Sequence, residues 1–142
     1  MNAATIHEAV RDGITRAIAV VGLAGIALIH VLNAQSTFAE TPYLGWMYVA
    51  LILGSVALAG ALIRDSDPRA WAAAGALALS VIVGYTLSRT TGLPQSSGDI
   101  GNWSEPLGIA SLFVDGSVVA VSVLALLGRV PILGATREAY AQ

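Results

Sequence analysis

Apolar positions in this chain fall into four long, nearly unbroken blocks, over residues 13–32, 42–63, 69–87 and 106–128. None alternates with the period of two that a barrel strand requires. Each holds roughly the 20 apolar residues that a helix rising about 1.5 Å per residue needs to cross a bilayer. The pattern predicts an all-α fold, an antiparallel four-transmembrane-helix bundle forming a single domain over residues 1–142. Helix starts are marked alike. Thr41-Pro42 and Asp67-Pro68 each read as an N-cap followed by proline at the first helical position, where its missing N–H costs nothing. Ser104-Glu105-Pro106 is a looser form of the same device.

The polar interruptions differ in length. Residues 64–68 form a tight turn, which pairs the second and third spans as a hairpin. Residues 33–41 read as a modest loop, and 88–105, rich in Gly, Ser and Pro, as the longest one. Small residues inside the spans predict close helix packing, which holds helices together in lipid. They are Gly22 and Gly25 in the first span and Gly45, Gly54, Ser55, Ala59 and Gly60 in the second. The third carries the row Ala76, Ser80 and Gly84.

Composition strengthens the membrane reading. The 142 residues are 56% hydrophobic and 11% charged, with a mean hydropathy of +0.74. Seven basic and nine acidic side chains are too few to coat a soluble domain. A net charge of −2, with no lysine, argues against a nucleic-acid partner. With no cysteine, disulfides, iron–sulfur clusters and thiol chemistry are excluded. Membrane lipid is the one partner that composition names.

Arginine placement sets a direction. Arg11, Arg16, Arg64, Arg69, Arg129 and Arg137 lie on one side of the spans and only Arg89 on the other. The positive-inside rule then puts both termini and the tight turn in the cytoplasm, with 33–41 and 88–105 outside. Tyr43, Trp46, Tyr48, Tyr85 and Trp103 fall near the outer boundary and Trp71 near the inner one, as an aromatic belt would. The first span reads as an anchor, not a cleaved signal. Its apolar run over 17–32 is long for one, and the following Leu-Asn-Ala-Gln offers no small-x-small site.

Few residues could carry chemistry. Asp115 lies nine residues beyond Pro106, about 13–14 Å along the helix and so near mid-bilayer. An acid there costs on the order of 2.5–3.5 kcal/mol, which something must offset. Gly108, Ser111, Asp115 and Ser122 share one helical stripe, which should face the bundle interior. Two readings stay open: a neutral Asp hydrogen-bonded to a neighbour, or a carboxylate that binds a proton or cation. His30 belongs to the outer half, with Glu40, Arg89, Asp99, Glu105 and Asp115; His7 is on the opposite side. If helices converge there, His30, Glu105 and Asp115 offer the donor types of a divalent metal site. The rival reading pairs Arg89 with one or two carboxylates, pinning the long loop to the bundle. A bis-histidine haem is excluded by the single His within the spans, and no GxSxG, P-loop or dinucleotide fingerprint occurs.

The most distinctive text is GYTLSRTTGLPQSSGDIGNWSEPLG over 84–108, with HVLNAQSTFAETPYLGWMY over 30–48. Ser88-Arg89-Thr90 and Gly101-Asn102-Trp103-Ser104-Glu105-Pro106 flank a variable insert. In this the chain resembles a group of small bacterial four-helix integral membrane proteins of uncharacterised function. The resemblance covers about a third of the chain and implies a bacterial inner-membrane location and no particular activity. The leading functional expectation is a non-enzymatic subunit or scaffold of a membrane complex, a homo-oligomer or a partner of other membrane-protein subunits. The alternatives are an outward-facing cation or metal-binding protein, and a proton-coupled small transporter acting as an oligomer through Asp115.

Overall fold

Helix α1 covers Ala3–Glu40, well beyond the apolar block that announces it. The computed structural model describes residues 2–128, so Arg129 and Arg137 of the charge argument lie outside the described residues. Asn2 caps α1, its side chain accepting from the Thr5 N–H at 2.9 Å. The expected loop at 33–41 is helix up to Glu40. Ser36 and Thr37 return their hydroxyls to the Asn33 carbonyl, so these polar side chains satisfy themselves without leaving the helix. No Gly or Pro interrupts the run before Pro42, which lacks an N–H and drives the residue before it out of helical geometry. The 38 residues extend about 57 Å, nearly twice a ~30 Å hydrocarbon core, so α1 must project beyond it.

The other helices are α2 (Pro42–Arg64), α3 (Pro68–Thr90) and α4 (Pro106–Leu127). All four are long and apolar enough to cross a membrane. Asp67 caps α3 as expected, accepting from the Arg69 N–H at 2.8 Å. Thr41 does not cap α2 with its side chain; its carbonyl accepts from Leu44 and Gly45 instead. Helix α3 also outlasts its apolar block, taking in Ser88, Arg89 and Thr90 that were expected in the loop. It stops at Gly92, which adopts φ +77° and sends its N–H back to the Leu87 carbonyl at 2.9 Å. Glycine tolerates that left-handed conformation where other residues are strained.

Packing follows the small residues, though not all of those expected. Gly22 and Gly25 bring α1 onto α4: a Cβ at Gly22 would lie 2.4 Å from Val118, and one at Gly25 would lie 3.2 Å from Val114. Gly45 makes room for the Phe38 ring where α1 turns into α2. On α3 the inward face is Trp71, Ala74, Gly75 and Ala78, with Gly75 against Ser122 of α4. The row Ala76, Ser80 and Gly84 is therefore not the packing face of this chain, since Ala76 and Ser80 are exposed. An almost uniformly apolar helix does not encode which side will be covered. Trp71 is a second correction. It is fully buried in the core with Leu23, Ile26, Leu62 and Val118, its Nε1 donating to Ser66 at 3.0 Å, and belongs to no lipid-facing belt.

Candidate functional site

Helices α2 and α3 touch less than the other neighbouring pairs, α1–α2, α3–α4 and α1–α4. Away from their tight turn they leave a cavity of about 370 Å³ at the end of the bundle that carries residues 91–105. That volume lies within the usual range of small-molecule sites. All four helices and the long loop line it. From α1 come His30, Asn33, Ser36, Thr37 and Glu40; from α2, Leu44, Met47, Tyr48 and Leu51. Helix α3 supplies Ser80, Val81, Gly84, Tyr85, Ser88 and Arg89, the loop Leu93, Ser96, Asp99 and Glu105, and α4 Leu107, Gly108 and Ser111. Met47 and Ser80 are exposed as well as lining, so the wall between α2 and α3 is open to the surroundings.

Arg89 holds the loop in place. Its side chain is 4% exposed, and its two terminal nitrogens meet Asp99, at 2.8 Å, and Glu105. The guanidinium stacks over the Tyr85 ring at 4.8 Å from the centroid, and the Tyr85 ring meets Trp103 edge-on. The Arg89 carbonyl accepts the Gly101 N–H at 2.9 Å, and Tyr43 donates to the Pro94 carbonyl at 2.6 Å. A segment with no regular structure is thus tied down by a buried cation, two carboxylates and a tyrosine. Glu105 begins α4 without capping it, because its carboxylate serves Arg89 instead.

His30 sits in the wall, 7% exposed and edge-on to Tyr48, with ring centroids 4.7 Å apart. Its Nδ1 lies 2.8 Å from the Ile26 carbonyl. A carbonyl can only accept, so Nδ1 carries the proton and in the neutral ring Nε2 keeps its lone pair. Nε2 has no hydrogen-bond partner among the described residues. The buried Tyr85 OH and Arg89 Nε make no well-aligned hydrogen bond, although the hydroxyl interacts with the Arg89 guanidinium. Glu40 is exposed at the rim and makes no ion pair among the described residues.

Asp115 stands apart. It is fully buried on α4 with Gly108, Ser111, Val118 and Ser122, but it does not line the cavity. Ser111 does, and its hydroxyl donates to Asp115 Oδ2 at 2.8 Å, so one serine separates the acid from the cavity floor. Asp115 Oδ1 is left without a partner. The expected grouping is therefore divided: His30, Glu40, Arg89, Asp99 and Glu105 share one cavity, and Asp115 lies beyond its floor. Among the described residues no three His, Asp or Glu side chains are grouped to hold a metal ion. His30, Glu105 and Asp115 are thus not brought together as a ligand set.

Asn33, Thr37, Tyr48 and Tyr85 were not among the candidate site residues read from the sequence. Asn33, Thr37 and Glu40 follow His30 at helical spacing, a pattern that shows only once 33–40 is taken as helix. Tyr48 and Tyr85 stood out only as belt aromatics; their place in the wall depends on the separation of α2 from α3. No protein-family model, curated protein or solved structure matches this chain.

Proposed function

We propose that this chain is a non-enzymatic, multi-pass protein of a bacterial inner membrane whose cavity is a small-ligand binding chamber open to the outside. Its four helices cross antiparallel as one domain, with both termini and the 65–67 turn in the cytoplasm. Arg11, Arg16, Arg64 and Arg69 on the opposite side from Arg89 support that direction. The observation that carries the reading is the cavity itself: about 370 Å³, walled by every helix, with the Nε2 of buried His30 left without a hydrogen-bond partner. A purely structural bundle gains nothing from that arrangement, since unpaired buried polar groups cost roughly 1–3 kcal/mol each. Binding is favoured over catalysis because Arg89, Asp99 and Glu105 are engaged with one another.

The cysteine-free chain allows a clean test of direction. Ser96→Cys and Ser66→Cys variants are exposed, in intact cells, to a maleimide that cannot cross membranes. Modification at 96 but not at 66 is expected, and the reverse pattern would refute the orientation. A second reading, a subunit of a homo-oligomer or larger membrane complex, is favoured by Ala76 and Ser80, small residues that α3 leaves exposed. Cross-linking through Ala76→Cys in native membranes tests it; a strictly monomeric product counts against it.

A further inference from the structure

The chamber is charged at one end and neutral at the other. Glu40, Arg89, Asp99 and Glu105 belong to the loop end, where Arg89 already holds Asp99 and Glu105. His30 precedes Glu40 on α1 by about 15 Å, deeper in the bundle. It makes no ion pair among the described residues. Leu51 and Val81, which line the chamber, also pack against the buried core and make its inner end apolar.

That inner end offers one strong acceptor. The Nδ1 of His30 is turned back on the Ile26 carbonyl, so the neutral ring points a bare Nε2 off the helix, and no described residue donates to it. Tyr48 does not, because its ring meets the imidazole edge-on and its hydroxyl is engaged with Thr37. An ether or carbonyl brings no proton to this nitrogen. An ion would leave its charge in the neutral end without a counter-charge. The entrance selects further. Met47 and Ser80 are exposed in the gap between α2 and α3, about 7.5 and 15 Å from the loop-side ends of those helices. At that depth the gap opens onto acyl chains, which favours an apolar body. We infer that the chamber takes an uncharged, lipid-soluble molecule bearing a hydroxyl, whose O–H is donated to His30 Nε2. The inference rests on the chamber being a ligand site and adds the chemical class of the ligand.

Three probes of similar shape separate the possibilities: para-butylphenol, its methyl ether, and para-butylbenzylammonium. Each is titrated calorimetrically into the full-length protein in a non-ionic detergent, with empty micelles as blank. His30→Phe keeps a ring and removes the acceptor, whereas His30→Gln keeps an acceptor oxygen near the place of Nε2. Gly84→Phe fills the chamber at a position where an added Cβ meets nothing within 4 Å. Helical circular dichroism and an unchanged elution volume establish that each variant is folded. Saturable binding of the phenol is expected, about tenfold weaker for the ether and in His30→Phe, the worth of one hydrogen bond. His30→Gln should recover part of it, and Gly84→Phe should abolish it. If the ether or the ammonium binds as tightly as the phenol, or His30→Phe changes nothing, the hydroxyl assignment is overturned while the chamber stands. If no probe binds, or binding ignores Gly84→Phe, the chamber reading falls with it.

Discussion

Replacing Arg89 by methionine removes a buried cation while keeping an apolar stem over the Tyr85 ring. In the parent its terminal nitrogens serve Asp99 and Glu105, and its side chain is 4% exposed. Removing one member of a fully buried ion pair costs about 3–5 kcal/mol, because the partner charge is stranded. Here the stranded groups keep some water: the Asp99 side chain is 50% exposed and that of Glu105 35%. The cost should therefore fall below that range, at about 2–3 kcal/mol. At about 1.4 kcal/mol per tenfold, this corresponds to a roughly 30- to 150-fold larger open population of segment 91–105. Hydrogen exchange followed by mass spectrometry in detergent reads it directly. Peptides covering 91–105 should lose protection, with the Gly101 amide as reporter because it donates to the Arg89 carbonyl. Peptides from the middle of α2 should be unaffected. Adding Asp99→Asn and Glu105→Gln to the variant should restore part of the protection by removing the unpaired charges. Unchanged exchange over 91–105, or an equal loss across all four helices, would refute the assignment of Arg89 as the fastener of the loop.

Two further substitutions probe the packing that shapes the chamber. Gly22→Ala places a Cβ 2.4 Å from the Val118 methyl, and a stiff β-branched neighbour cannot swing aside. Thermal unfolding in detergent should show a loss of about 1–3 kcal/mol, largely relieved by adding Val118→Ala; simple additivity of the two changes would contradict the contact. Trp71→Phe should cost about 1 kcal/mol through the lost bond to Ser66, and Trp71→Ala about 3–5 kcal/mol through the cavity it leaves. Equal effects of the two would contradict a core role for Trp71.

Much of the fold was legible because proline punctuates it. Pro42, Pro68 and Pro106 each open a helix, and the blocks at 42–63 and 106–128 lie within a residue or two of α2 and α4. The stripe of Gly108, Ser111, Asp115 and Ser122 pointed inward by spacing alone, and each of these residues is buried. Helix ends were harder to read. Polar residues 33–40 look like a loop to hydropathy, yet their hydroxyls satisfy themselves along the helix and no breaker stands among them. The charge imbalance around Arg89 marked it as a fastener, and Asp99 and Glu105 are its partners. The inward face of α3 was misread because small residues occur all round it. The polar residues of the outer half were grouped from the sequence, but the walls and size of the chamber arise from the separation of two helices and belong to no local pattern.

The proposed opening of the chamber to the outside can be measured at its floor. Ser111 is 6% exposed and lines the cavity just above Asp115. In a Ser111→Cys variant of this cysteine-free chain, a small membrane-impermeant methanethiosulfonate added to intact cells should modify the thiol. Gly84→Phe in the same chain should slow that reaction by filling the path. A thiol that reacts only after the cells are permeabilised, or one indifferent to Gly84→Phe, would contradict the account.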